Sequence, residues 1–144
     1  MAPSQTLPPS PNLVYTEPAL TAELLDRFDA FAHEVASYDG VSAFSEQTRI
    51  ELTKALRGRT LTPPRLFLAE DDGTIAAAFV ALTPASDEDG GVIEAAVAPT
   101  YRGRGAGSAF FEHAVRQLGE EAVRYRLWVH GSANDTGIET PAHA

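Results

Sequence analysis

Between residues 20 and 56, apolar side chains recur every three or four positions, the spacing of helices that bury one face. Leu20, Leu24, Phe28, Phe31 and Val35 predict a helix over 18–37, and Asp39-Gly40 breaks it. Ile50 and Leu52 predict a second helix over about 45–56, with Ser45 as its N-cap. Gly58 and Pro63-Pro64 end that stretch. From residue 65 the period shortens. The segments 65–70 and 74–82 read as strands joined by the tight turn Asp71-Asp72-Gly73, an antiparallel hairpin. The stretch TPASDEDGG over 83–91 reads as a solvated acidic turn, and 92–98 as a third strand closed by Pro99. A glycine-rich turn, YRGRGAG, then leads into a helix from Ala106 or Gly107 to about residue 121. Phe110, Phe111, Ala114, Val115 and Leu118 supply its apolar face, and 124–129 reads as a last strand.

A strand joined through a helix to the next strand implies a parallel pair and a right-handed crossover. The fold class expected is therefore α/β (α+β), a mixed central sheet with flanking helices. The first eleven residues hold four prolines and almost nothing to bury. They predict a disordered, Pro-rich tail over 1–14 ahead of a single domain over 15–144.

At 144 residues, with 44% hydrophobic and 22% charged residues, the composition is that of one ordinary globular domain. The absence of cysteine excludes a disulfide framework, a thiolate metal site and a cysteine nucleophile. His33, His113, His130 and His143 are scattered without metal-ligand spacing, so no metal is expected. No run approaches the roughly 18 apolar residues of a membrane span, and no secretory signal opens the chain. A cytoplasmic protein with no membrane partner is the expectation. Eleven basic against twenty acidic residues give a formal charge of −9, which argues against the broad basic face that nucleic acid requires. A small polyanion is still accommodated where the few cations and backbone N–H groups converge.

Arg102-Gly103-Arg104-Gly105-Ala106-Gly107 is such a place. Alternating glycines let backbone N–H groups turn toward one point, and the following helix adds the positive end of its dipole. Two arginines stand at the same spot. A Walker A loop would end in Lys-Ser or Lys-Thr, and the dinucleotide fingerprint has a different glycine spacing. The competing reading is a strand-to-helix turn that binds nothing; the paired arginines favour a pyrophosphate cradle.

R-x-x-G-x-G after a strand of the form V-x-P resembles the acetyl-CoA motif of the Gcn5-related N-acetyltransferases (GNAT superfamily). That resemblance implies acetyl-CoA as co-substrate and a small-molecule amine as acceptor. Arg102, Gly103, Arg104, Gly105, Ala106 and Gly107 become the pyrophosphate loop, and Ala95, Ala96 and Val97 the strand backbone beside the thioester. The element order matches that fold through its fifth strand, with one strand fewer near the start. Asp39-Gly40-Val41, Ser45-Glu46-Gln47 and Leu127-Trp128-Val129-His130-Gly131 further resemble the N-terminal half of the mycothiol synthase family, a tandem of two acetyltransferase domains. By that resemblance the reaction is acetyl transfer to the cysteinyl amine of Cys-GlcN-inositol, the final step of mycothiol biosynthesis. A second GNAT domain is the implied partner, in an otherwise monomeric chain, and Glu46 the carboxylate that reaches the substrate.

Alone, Glu46 reads as a first-turn carboxylate favoured by the helix dipole. A single-domain acetyltransferase for another amine, and a non-catalytic acetyl-CoA-binding module, remain alternatives. Glu94 is a candidate proton acceptor beside the loop, against the plainer reading of a strand carboxylate at the sheet surface. The family places its base in the second domain, at a strand position that aligns here with Gly91, so no catalytic residue is assigned. His130 reads as a hydrogen-bonded strand-end residue, Trp128 as packing, and His33 and His113 as ordinary helix-face residues. The family's domain continues past its fifth strand with a helix and two more strands, and Thr140-Pro141 reads as the first turn of that helix. The expectation is a sheet truncated after the fifth strand, with an exposed edge and marginal stability.

Overall fold

A computed structural model of the chain describes residues 12–83, 91–119 and 125–130. In chain order the elements are β1 (Val14–Thr16), α1 (Ala22–Asp39), α2 (Glu46–Leu56), β2 (Arg65–Asp71), β3 (Thr74–Leu82), β4 (Gly91–Val97), a 3-10 turn (Pro99–Tyr101), α3 (Ala106–Leu118) and β5 (Tyr125–His130). The five strands form one sheet in the order β1-β2-β3-β4-β5. Neighbours from β1 to β4 run antiparallel, whereas β4 and β5 run parallel through the α3 crossover. This is the mixed sheet that the strand–helix–strand order predicts.

Alternation along the strands divides the core between two faces. Leu66, Leu68, Ala78, Val80, Ala96 and Ala98 pack under α1 and α2 with Phe28, Phe31, Val35 and Leu52. Phe67, Ala69, Ala77, Phe79, Ala81, Ile93, Ala95 and Val97 meet Phe110, Phe111, Ala114 and Leu118 of α3. β3, covered on both faces, is buried over seven consecutive residues, which is why its sequence TIAAAFVAL carries no alternation. Phe28, Phe67, Phe79, Phe110 and Phe111 are completely enclosed, each removing apolar surface that contributes about 1.5–3 kcal/mol.

Several elements differ from the sequence expectations, and β2, β4 and β5 do so by a single residue at one or both ends. α1 begins at Ala22 rather than residue 18, because Thr21 adopts an extended conformation and its hydroxyl accepts the Leu24 N–H at 3.0 Å. It ends on Gly40, whose left-handed backbone (φ 81°) lets its N–H reach the Ala36 carbonyl at 2.8 Å. β1 supplies a strand near the start, where one fewer is expected. Its three residues pair Val14, Tyr15 and Thr16 with Glu70, Ala69 and Leu68, so Val14 is strand although the tail reading extended to it. α3 stops at Leu118, where Gly119 takes φ 68°. α2 follows the expected span, but Ile50 faces outward at 42% exposure and Leu52 alone of the two reaches the core. The tail over 1–11, the acidic turn over 84–90 and the end of the chain over 131–144 lie outside the described residues.

Candidate functional site

The site begins where β4 leaves the sheet. Ala98 N–H still bonds to the Ala76 carbonyl of β3 at 2.8 Å, and Pro99 opens the 3-10 turn. Tyr101 N–H and Arg102 N–H close that turn on Ala98 and Pro99. Gly103 (φ 80°) and Gly105 (φ 77°) then take left-handed conformations, and a Cβ at either would meet nothing within 4 Å. The space over both glycines is open.

Gly105 is the N-cap of α3 and offers no side chain to cap it. The first internal bond runs from Ala109 N–H to the Gly105 carbonyl at 3.1 Å. The N–H groups of Ala106, Gly107 and Ser108 are therefore left without acceptors among the described residues, at the positive end of a 13-residue helix. Gly107 permits this arrangement in a second way. A Cβ there would stand 2.6 Å from Val97 Cγ2, so only glycine lets the first turn of α3 lie directly on the end of β4.

Two carboxylates hold the loop. The Arg102 guanidinium makes a paired contact with Asp39 at the end of α1, 2.8 Å to each carboxylate oxygen. Its Nε donates to the Val97 carbonyl at 3.0 Å, and its face covers the Tyr38 ring at 5.7 Å. Both charged side chains are nearly enclosed, 11% and 12% exposed. Tyr101 donates its hydroxyl to Asp71 at 2.6 Å. That bond to a carboxylate, with partial burial and the Asp71 charge, pushes the Tyr101 phenol above its ordinary value of 10.0, against the opposing Arg104 cation. Arg104 itself is exposed and has no ion-pair or hydrogen-bond partner among the described residues. The two arginines of the motif thus differ in setting: Arg102 is bonded to Asp39 and Val97, and Arg104 is exposed.

Of the strand backbone expected beside the thioester, Ala95 and Ala96 pair with Val129 and His130 of β5, and on the other side Val97 pairs with Ala77 of β3. On the other face of the sheet, Glu46 occupies the first turn of α2 beside a groove of about 600 Å³. Phe44, Arg49, Ile50 and Lys54 also line this groove. Arg49 pairs with Asp29 of α1 at 2.9 Å. Burial, outweighing that cation, raises the Asp29 carboxyl from its ordinary 3.8. Glu94 does not stand free beside the loop: its Oε1 accepts the Ser45 backbone N–H at 2.8 Å and the Thr48 hydroxyl at 2.6 Å. Gly91, the position aligned with the family's base, is enclosed by Tyr125 and the Leu82 carbonyl, with no room even for a Cβ. His33 is exposed on α1, and the His113 ring lies 4.8 Å from that of Tyr15. The side chains of Trp128 and His130 lie outside the described residues.

Asp39, Asp71 and Thr48 escaped the sequence reading. In the sequence Asp39 reads as part of a helix breaker and of the Asp39-Gly40-Val41 resemblance, and Asp71 as a turn residue, neither as a partner of the loop. Among the described residues no cluster of three His, Asp or Glu forms a metal site, and no helix is long and apolar enough to cross a membrane.

Comparison with known proteins agrees with this geometry. Residues 23–139 match the model of the acetyltransferase (GNAT) family. The chain is 75% identical over 141 residues to a mycothiol acetyltransferase of Rothia mucilaginosa, covering 98% of this chain and 40% of that protein. It is 36% identical over 112 residues to the mycothiol acetyltransferase of Nocardia farcinica, covering 78% of this chain and 34% of the relative. The chain thus spans well under half the length of these curated relatives. Among solved structures, a GNAT-family acetyltransferase from Streptococcus pneumoniae superposes with a TM-score of 0.58 at 18% identity, over 82% of this chain and 74% of that one. One from Staphylococcus aureus gives 0.59 at 10% identity, over 84% and 74%. The mixed sheet, the glycine loop at the end of β4 and the family match over 23–139 together make this chain a member of the GNAT acetyltransferase family.

Proposed function

We propose that the chain binds acetyl-CoA at the loop over 102–107 and serves as the N-terminal acetyltransferase domain of a cytoplasmic mycothiol acetyltransferase. The observation that carries this reading is the set of three N–H groups without acceptors among the described residues at the start of α3, behind two left-handed glycines and beside the exposed Arg104. The open space over Gly103 and Gly105 fits a pyrophosphate, which needs donors and positive charge with no side chain in the way. Acetyl-CoA, when bound, supplies an acetyl group activated as a thioester. The N–H groups of Ala106, Gly107 and Ser108 hold the pyrophosphate, and Arg104 offsets its charge. Arg102 contributes by keeping the loop in place rather than by reaching the ligand. Ala95, Ala96 and Val97, at the end of β4, are the strand backbone proposed to lie beside the thioester.

Glu46 stands where a carboxylate can accept from an amine-bearing acceptor in the α2 groove. The acceptor proposed is the cysteinyl amine of Cys-GlcN-inositol, in keeping with the names of the relatives that align along the chain. A second GNAT domain is the proposed partner, since this chain spans 40% of the Rothia relative. Calorimetry with acetyl-CoA tests the loop directly: Gly105→Glu, which places a carboxylate in the cradle, should abolish binding while the fold persists. Binding at wild-type affinity in that variant would reject the loop. Acetyl transfer to Cys-GlcN-inositol, by the chain alone and joined to a second domain, tests the acceptor. Transfer instead to other small amines would favour a single-domain acetyltransferase of different specificity.

A further inference from the structure

The hydrogen bonds of Glu94 run from the sheet into α2. In a capping box, a helix closes its own first turn: the N-cap side chain takes the N–H of the third helical residue, and that residue's carboxylate takes the N-cap N–H. α2 completes only the first half. Ser45 Oγ accepts the Thr48 N–H at 3.2 Å, but the third helical residue is a threonine, and its hydroxyl lies 3.2 Å from Ser45 Oγ. The Ser45 N–H goes instead to Glu94 Oε1, 49 residues along the chain, and the Thr48 hydroxyl donates to the same oxygen. Thr48 is completely buried at this junction. A box closed within one helix fixes only that helix. This one is closed by a strand, so it fixes the first turn of α2 to β4. Glu46 is the residue immediately after the cap, and Glu94 lies three residues before Val97, where β4 runs into the glycine loop.

We propose that Glu94 is a positioning residue: it sets the first turn of α2, and with it Glu46, at a defined place against the strand that leads into the acetyl-CoA loop. The consequence for the acceptor rests on the reading of Glu46 given above. The pin needs an oxygen that accepts two hydrogen bonds, which an amide also provides. A proton acceptor needs the carboxylate itself. Glu94→Gln and Glu94→Ala therefore separate the two uses.

Hydrogen exchange on the intact chain reads the pin without any ligand. Glu94→Ala should speed exchange over 45–49 about ten-fold or more, with the β2–β3 hairpin unchanged, while Glu94→Gln stays within about three-fold of wild type. Calorimetry with Cys-GlcN-inositol reads the consequence. Acceptor affinity should fall in Glu94→Ala and be retained in Glu94→Gln, and acetyl-CoA affinity should hold in both. The loss should also vanish when Glu46→Ala is already present, because Glu94 acts through Glu46. Equal effects of Gln and Ala, unaltered exchange in Glu94→Ala, or additive losses with Glu46→Ala would each overturn the proposal. A wild-type chain that binds neither compound would refute the proposed function, while the exchange comparison would still decide the pin.

Discussion

Replacing Arg102 with alanine should cost stability before it costs cofactor affinity. The guanidinium spans Asp39 with two bonds of 2.8 Å and reaches the Val97 carbonyl at 3.0 Å. Removing it takes the Arg102 charge away from the Asp39 carboxylate, 12% exposed, and that donor away from the Val97 carbonyl. Breaking a buried pair by deleting one partner costs about 3–5 kcal/mol. The residual access of both side chains to water places this pair at the lower end, at about 3 kcal/mol. For a chain of this size that corresponds to a fall in Tm of roughly 6–12 °C. Arg102→Lys should recover only part of it, because one ammonium cannot span both carboxylate oxygens and a carbonyl. Urea unfolding of Arg102→Ala, Asp39→Ala and the double variant should give a coupling of about 1–3 kcal/mol. Acetyl-CoA affinity, measured well below the melting temperature, should fall only modestly, since Arg104 and the α3 N–H groups remain. An unchanged urea midpoint together with abolished acetyl-CoA binding would refute this reasoning and return Arg102 to the pyrophosphate.

Three further outcomes bear on the same site. Gly107→Ala drives a methyl to 2.6 Å from Val97 Cγ2 and should cost about 1–3 kcal/mol in thermal unfolding, partly restored by Val97→Ala; a neutral Gly107→Ala would contradict the close approach of α3 to β4. Arg104→Ala should change stability by less than about 0.5 kcal/mol but weaken acetyl-CoA binding several-fold at low salt, and less at high salt. Equal affinity at every salt concentration would exclude Arg104 from the cradle. The Tyr101 phenol should ionise above 10.0 in difference spectra against Tyr101→Phe, and Asp71→Asn should lower it again. Because the folded value is raised, the stability it contributes is complete below 10.0 and is lost as pH rises through that higher value. Ionisation at or below 10.0 would show that the bond to Asp71 is absent in solution.

Much of the architecture is legible along the chain because it is written locally. The three-to-four spacing of Leu24, Phe28, Phe31 and Val35 marks α1, and that of Phe110, Phe111, Ala114 and Leu118 marks α3. Ser45 announces α2 as a cap, and Asp72-Gly73 turns the hairpin. The order of strand, helix and strand dictates the parallel β4–β5 pair. The glycine loop is visible for the same reason: left-handed backbone and a helix start are properties of a few consecutive residues. β1 is not legible, since three residues carry no period, and they become a strand only by pairing with Leu68, Ala69 and Glu70.

Which charge meets which is decided by the folded chain. Arg102 and Arg104 stand two positions apart in one motif and look alike as cations. Packing brings Asp39, 63 residues away, against the first and leaves the second in the open. Glu94 reads as a strand carboxylate beside the loop until the fold sets the start of α2 over it, where its oxygen replaces the carboxylate that the capping box of α2 lacks. Backbone conformation follows from short-range sterics and periodic burial, which neighbouring residues specify. Electrostatic partners depend on distance and on exclusion of water, and neither exists until the helices have packed on the sheet.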